Sequence, residues 1–340
     1  MWWLMVDTLF IKSKSGNYIV NFDNTEDVLN KLFRNRAVLV VDRNLYDNYD
    51  IFKRRLSITI DALETSKDYR SVASYIDALL DLGFKRNWKL VAVGGGIIQD
   101  ITGFIASILY RGVEWHYFPT TFLSMADSCI GGKSSINMGQ LKNQVGTFYP
   151  PKSICIDISF LDTLPKHHML SGYGEVYKYH ILDGNYKVDS MDIKSLIRYC
   201  LNVKKQYIEE DEFDTDKRNL LNYGHTFGHA IEASTDFKFS HGTCVAVGMD
   251  IANFISHRMK WMSDEKYNKV SGFLNEILYK DNFIPDIDRF MDCLKQDKKM
   301  LSDKIRIVVL TNNSIRIEEM PEHSIKRLVG EYIQNMRVGK

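Results

Sequence analysis

Apolar residues follow two rhythms along this chain, and the change between them divides it. In the first half, short apolar runs alternate with stretches of helical spacing. "AVLVVD" (37–42) and "WKLVAVGGG" (88–96) read as buried strands, with "SITID" (57–61) and "EWHYFPTT" (114–121) as shorter ones. Between them, "DYRSVASYIDALLDLGF" (68–84) and "IIQDITGFIASILYRG" (97–112) place apolar side chains three and four apart, as a helix buried on one face requires. Strands separated by helices predict a mostly parallel sheet with crossovers. After "FYPPKSICIDISFLDTLPK" (148–166) strand patterns become sparse. Long helical patterns then fill 167–183, 190–210, 217–235, 241–261 and 264–280, with one late strand pair within 304–320. Pro150-Pro151 and "TLPK" mark the transition. The pattern predicts an α/β nucleotide-binding domain followed by a mainly helical one.

Composition changes this picture little. The 340 residues are 45% hydrophobic and 26% charged, an ordinary globular balance, and the net charge is +1. Neither nucleic acid nor an anionic membrane is an expected partner of so neutral a chain. Five scattered cysteines without CxxC spacing argue against a disulfide framework and a cysteine zinc site. No signal peptide and no membrane span are read, so the expected location is the cytoplasm.

Candidate chemistry begins at "VAVGGGIIQD", where Gly94, Gly95 and Gly96 lie between a strand and a helix. Backbone without side chains can approach a pyrophosphate, and a helix N-terminus offers free N–H groups. Asp100, placed by this reading in the helix's first turn, can receive a ribose hydroxyl. The pattern is neither GxGxxG nor a P-loop, and a tight turn explains it equally well. Residues 110–150 then gather Arg111, Thr120, Thr121, Asp127, Lys133, Asn137, Lys142 and Asn143 with little apolar periodicity. Such a set suits a phosphorylated, hydroxyl-rich substrate; the plainer reading is a polar surface loop.

"NYGHTFGHAIEAS" (222–234) puts His225 and His229 on one helical face, and His241 follows at a second helix start. Upstream, "GYGEVYKYH" places Glu175 and Lys178 three apart on another helix. One carboxylate and two imidazoles make a divalent-metal set with positions left open for substrate oxygens. Three histidines compete for the two imidazole places, and spacing does not choose between them.

These motifs occur in a familiar order. "ETSK", "GGGIIQDITGF", "YRG", "PTTFLSMADSCIGGKSSIN", "KNQVGTFYPP", "FLDTLP", "GEVYKY", "RNLLNYGHTFGHAIEA" and "HGTCVAVGM" are collinear with the 3-dehydroquinate synthases, a branch of the sugar-phosphate cyclases that this chain resembles. The resemblance runs from about residue 64 to 250, with a weaker tail to "DKK" and a loose match over the opening 60 residues. It implies an N-terminal α/β Rossmann-like NAD-binding domain over 1–160 and a mainly α-helical metal- and substrate-binding domain over 161–340. It assigns NAD+ to Asp42, Glu64, Lys67, Gly94, Gly95, Gly96, Asp100, Thr120, Thr121, Lys133, Lys142 and Thr163. It assigns a divalent metal, zinc or cobalt, to Glu175, His225 and His241. Around the substrate it implies His229, Lys133, Asn143, Lys178, Lys204, Arg218, Arg111, Asp127 and Asn222, with one of Lys298 or Lys299. The implied reaction turns 3-deoxy-D-arabino-heptulosonate 7-phosphate into 3-dehydroquinate and phosphate, as a step of the shikimate pathway, with NAD+ regenerated in each cycle. The resemblance also suggests a homodimer.

Several positions depart from the family pattern. "MGQLKN" (138–143) stands where "HPLGKN" is usual, Thr243 replaces a carboxylate beside His241, "IIQD" replaces "VIGD", and His180 replaces a glycine. No implied metal ligand is lost. Two rival readings follow: another cyclase, such as an aminodehydroquinate synthase, and a metal- and NAD-dependent alcohol dehydrogenase. Glu175 and Lys133 count against the dehydrogenase, which normally opens its ligand set with an aspartate and lacks the phosphate-binding lysines. A non-catalytic binding protein is disfavoured by the retained histidines.

Overall fold

The structure, a computed structural model, describes residues 8–34, 36–139, 141–188, 190–275, 277, 286–297 and 304–338. The chain divides into two compact units, Met1–Leu164 with Lys204–Phe213, and Pro165–Val203 with Asp214–Lys340.

The first unit is α/β. Its strands are β1 (Thr8–Ile11), β2 (Tyr18–Phe22), β3 (Ala37–Asp42), β4 (Ser57–Ile60), β5 (Lys89–Gly94), β6 (Trp115–Pro119), β7 (Lys133–Met138), β8 (Leu141–Phe148) and β9 (Ser153–Ile156). Its helices are α1 (Thr25–Leu32), α2 (Arg43–Asn48), α3 (Asp50–Lys53), α4 (Tyr69–Asp81) and α5 (Gly96–Ile108). Seven strands form one sheet in the order β1-β2-β9-β6-β5-β3-β4. All pairings are parallel except the β1–β2 hairpin at one edge. The unbroken apolar runs of β3 and β5 are the buried centre: Val38 to Val41 and Leu90 to Val93 have no exposed surface. Strand β3 is flanked by β4 and β5, so the direction of winding reverses between β3 and β5. In open α/β sheets such a reversal leaves a crevice at the carboxyl ends of the strands, where ligands bind.

The second unit is mainly helical: α6 (Lys166–Asp183), α8 (His225–Ser234), α9 (His241–Arg258), α10 (Asp264–Leu274), α11 (Ile287–Asp297) and α12 (Glu322–Val338), with one antiparallel pair, β10 (Lys304–Leu310) and β11 (Ile315–Pro321). Helix α7 (Ile193–Glu210) begins in this unit and ends in the first. No described helix is long and apolar enough to cross a membrane. None of the five cysteines forms a disulfide.

The predicted fold class, an α/β domain followed by a helical one, is the one observed. Four details differ. The helix expected over 217–235 is two pieces, a 3-10 turn (Lys217–Asn222) and α8, separated by Gly224 at φ +81°. A Cβ there would meet Met249 Cγ at 2.5 Å and the Val245 carbonyl oxygen at 2.6 Å, so the break is imposed by close packing as well as by handedness. The helix expected over 97–112 stops at Ile108, because Tyr110, Arg111 and Gly112 all turn left-handed at φ 51°, 65° and 118°. The polar segment around 133–148 is a strand pair, β7–β8, whose mostly exposed second strand hides the usual alternation. The expected 264–280 helix is described to Leu274.

Candidate functional site

The candidate groups of the first unit follow the carboxyl ends of its parallel strands. Asp42 ends β3 and caps α2 by accepting the Asn44 N–H at 3.0 Å; burial raises its pKa, against that hydrogen bond. Gly94 ends β5, Gly95 caps α5 with no side chain, and Gly96 opens the helix, which leaves the first amides free of a side-chain cap. A Cβ on Gly95 would lie 3.0 Å from Thr121 Cγ2. Thr120 and Thr121 follow β6, and the buried Thr120 N–H donates to the Gly94 carbonyl at 3.1 Å. Thr163 Oγ1 lies 2.9 Å from the Tyr49 hydroxyl. A bare-backbone cradle at a winding reversal fits a dinucleotide's pyrophosphate, and Asp42 at the end of the neighbouring strand suits a ribose.

Asp100 lies one residue beyond the first turn of α5 rather than inside it, because the helix starts at Gly96. Burial raises its pKa, opposed by the Lys67 ammonium. Lys67, almost fully buried, donates to Asp100 Oδ2 and to Asn143 Oδ1, both at 2.8 Å. Lys67 and Lys142 both approach Glu64 Oε1, at 3.9 and 3.8 Å. Asn143 is left-handed at φ 56°, and its N–H donates to Asn137 Oδ1 at 2.9 Å, while Asn137 Nδ2 donates to Glu64 Oε1 at 2.7 Å. The Ser135 N–H donates to Asp100 Oδ1 at 3.0 Å. One polar network thus joins Glu64, Lys67, Asp100 and Asn143. Lys133 is exposed, with its ammonium 6.0 Å from the Phe148 ring centre. Lys204 and Asp127 pair at 2.8 Å, and the same ammonium donates to the Asp127 carbonyl. Arg111 is exposed on its left-handed backbone.

In the second unit Glu175, His225 and His241 converge, with one potential ligand atom from each within 4.8 Å of the others. His225 Nε2 and His241 Nε2 stand 3.4 and 3.5 Å from Glu175 Oε1. Three glycines adjacent to these residues make the convergence possible. A Cβ on Gly174 would overlap the Gly242 carbonyl, one on Gly242 the Ser171 carbonyl, and Gly224 packs on Val245 and Met249 as described. The backbones of α6, α8 and α9 therefore touch directly beside the three candidate ligands.

Both imidazoles have their outer nitrogen occupied. His225 Nδ1 is 3.3 Å from the Tyr223 carbonyl oxygen, and His241 Nδ1 is 3.2 Å from Glu232 Oε1. An Nδ1–H given to these acceptors leaves Nε2 as the atom of each ring that faces Glu175. Burial raises the Glu175 carboxyl, but the touching Lys178 ammonium and His225 outweigh it and hold the group well below its ordinary value. Burial, with Lys178, lowers His225 to about 4. Burial also opposes charge on His241, but Glu232 and Glu175 raise it to about 10. Neither Glu175 oxygen makes a hydrogen bond of normal geometry, although both are fully buried. A buried carboxylate without such bonds, facing two imidazole Nε2 atoms, fits a divalent cation by donor type and by number.

His229 lies on the same helix as His225, their ring centres 5.5 Å apart, and joins His241 and Glu232 in a second potential ligand group. Glu232 faces Nδ1 of His241, whereas Glu175 faces Nε2, so the buried Glu175 group is the better-formed one. Arg218 and Lys178 are buried, and Asn222 is exposed at the end of the 3-10 turn. Lys298 and Lys299 lie outside the described residues. Sequence reasoning did not single out Glu232, Tyr223 or Ser135. Glu232, three residues after His229, offered the only positional signal.

In fold the chain groups with the sugar-phosphate cyclases. It matches the crystal structure of 2-deoxy-scyllo-inosose synthase complexed with carbaglucose-6-phosphate, NAD+ and Co2+, at a TM-score of 0.85 and 25% identity, over 95% of this chain and 99% of that one. Residues 57–171 match the family described as 3-dehydroquinate synthase N-terminal, and 172–300 the one described as 3-dehydroquinate synthase C-terminal. The 3-dehydroquinate synthase of Alkaliphilus oremlandii (strain OhILAs) is 35% identical over 295 residues, 78% of this chain and 80% of its own. That of Buchnera aphidicola subsp. Cinara cedri (strain Cc) is 34% identical over 324 residues, 90% and 84% of the two chains. The chain belongs to the 3-dehydroquinate synthase family.

Proposed function

We propose that the chain is a phosphate-eliminating cyclase that converts 3-deoxy-D-arabino-heptulosonate 7-phosphate to 3-dehydroquinate and phosphate, with catalytic NAD+ and one divalent cation. The observation that carries this reading is the Glu175–His225–His241 group, in which both Nε2 atoms turn toward one buried carboxylate, in a chain of this family. Those three residues would hold the cation, zinc or cobalt, which when bound polarises the substrate hydroxyls. Asp42, the Gly94–Gly96 loop, Asp100 and Thr121 would hold NAD+, which lends and recovers a hydride, with Glu64, Lys67, Thr120, Lys142 and Thr163 around it.

The chain's own groups do the rest. Lys133, Asn143 and His229 hold the phosphate as it leaves, and the departing phosphate can itself carry the proton from C6. The buried guanidinium of Arg218 pairs with the substrate carboxylate, which favours a sugar acid over a neutral sugar phosphate. Lys178, beside Glu175, keeps that carboxylate ionised. Arg111, Asp127, Lys204 and Asn222 complete the polar surround. A cytoplasmic homodimer is the proposed working form.

The test is phosphate release from the heptulosonate phosphate with catalytic NAD+ and added zinc, following absorbance for NADH. Phosphate and dehydroquinate in equal amounts, without NADH accumulation, support the reading. NADH accumulating without phosphate would move the chain to the dehydrogenases. Bound NAD+ and zinc without phosphate release would move it to another cyclase substrate.

A further inference from the structure

The β1–β2 hairpin lies outside the stretch that matches the family, yet it reaches the loop that presents Lys133. Tyr18, on β2, is buried, and its hydroxyl accepts the Gly131 N–H at 2.8 Å. Gly131 and Gly132 are left-handed at φ 104° and 65° and run straight into Lys133, the first residue of β7. The Gly132 carbonyl accepts the Tyr149 N–H at 2.7 Å, so the two-glycine turn is held from both sides.

The hairpin is itself clamped. Glu212 accepts the Ser13 hydroxyl and the Lys14 N–H, both at 2.6 Å, and Glu209 accepts the Lys12 N–H at 2.7 Å. Both carboxylates belong to the Lys204–Phe213 stretch, which also brings Lys204 to Asp127. A recess lined by Ile11, Ser13, Tyr18, Gly131, Gly132 and Glu212 joins the pieces.

We propose that Tyr18 is a positioning residue for the substrate phosphate: its phenol fixes the Gly131–Gly132 turn and thereby aims Lys133, while Glu212 holds the hairpin that carries it. This rests on the reading of Lys133 as a phosphate-binding group. Glycines in such a turn sample many backbone states. A phenol oxygen on the first amide selects one of them, and its loss removes that acceptor from a buried N–H.

The experiment uses the full-length protein loaded with NAD+ and zinc, with inorganic phosphate as the probe. Tyr18→Phe should weaken phosphate binding and raise the KM for the heptulosonate phosphate about tenfold. NAD+ affinity and zinc content should stay near wild type. Glu212→Ala should act in the same direction. The deciding readout is a double-mutant cycle: in a Lys133→Ala background, Tyr18→Phe should cost no further phosphate affinity, because its effect runs through that ammonium. Additive losses would overturn the proposal, as would unchanged phosphate affinity in Tyr18→Phe, or NAD+ affinity falling in step with it. Wild type that binds phosphate but releases none from the heptulosonate would sink the function reading instead, and the cycle would still judge Tyr18.

Discussion

Once one nitrogen of an imidazole has a partner, the other is committed to what it faces. By that rule the proposed metal role falls to His225 rather than His229, which spacing alone left equivalent. His225 and His241 have their Nδ1 atoms engaged by Tyr223 and Glu232, and both aim Nε2 at Glu175. The chemistry of the site was legible in the sequence as residue types; the division of labour came only from the family resemblance and not from spacing, because it depends on a backbone carbonyl and on a carboxylate from the next turn of the helix. Glu175→Ala should leave the protein unable to retain zinc, with turnover at background, as metal analysis after dialysis would show. His229→Ala should keep its zinc and lose rate; a parallel loss of zinc would reverse the roles of the two histidines. Glu232→Ala should weaken zinc about ten- to a hundredfold, measured by chelator competition, since it frees the outer nitrogen of His241.

Elements were legible where one physical demand dominated. The runs at 37–41 and 90–93 lie in central parallel strands buried on both faces, so no residue in them interrupts the apolar pattern. The β7–β8 pair was missed because its residues answer to ligand chemistry and solvent, not to a core. Gly224 was hidden inside "LLNYGHTFGH" because a glycine breaks a helix only if tertiary packing needs the left-handed turn. At Gly242 the demand is for contact, since a side chain would enter the Ser171 carbonyl. Gly242→Ala should therefore cost about 3 kcal/mol, read from the urea midpoint. Helix α6 also carries a pH dependence. His180 is fully buried, its ring tilted against Tyr199 with centres 4.4 Å apart, and its Nδ1 is 2.8 Å from the Asn185 carbonyl. Burial depresses its pKa from 6.5, partly offset by that bond. The unfolded chain takes up this proton near pH 6.5, the folded chain only at lower pH. The stabilisation is thus complete above the unfolded value and lost as pH falls through the folded one. Unfolding free energy should decline as pH falls below about 7, and His180→Phe should flatten that decline. An unchanged slope would remove His180 as its source.

At the scale of the whole molecule, the two-part organisation was visible because strand and helix rhythms occupy different halves of the chain. One crossing was not visible: Lys204–Phe213 continues a helix begun in the second unit but belongs to the first. Apolar spacing runs through α7 without a mark at that point, so no periodicity argument could find it. A cation that binds only the folded state should stabilise the protein as a whole. Zinc at a hundredfold excess over its Kd should add about 2.7 kcal/mol to the unfolding free energy. The gain should vanish in Glu175→Ala, as urea titrations with and without zinc would reveal.

The glycines beside the three ligands have one more implication. Their backbones meet with no side chain between them, so the main-chain positions from which Glu175, His225 and His241 reach out are set by direct contact. As candidate ligands the trio forms a tripod whose feet are placed before any ion arrives. Zinc and cobalt have similar radii and accept the same donors, so such a tripod discriminates poorly between them. Which of the two a cell's protein carries is then a matter of supply, and the same molecule isolated from cobalt-rich and zinc-rich medium should have the same shape and a different colour.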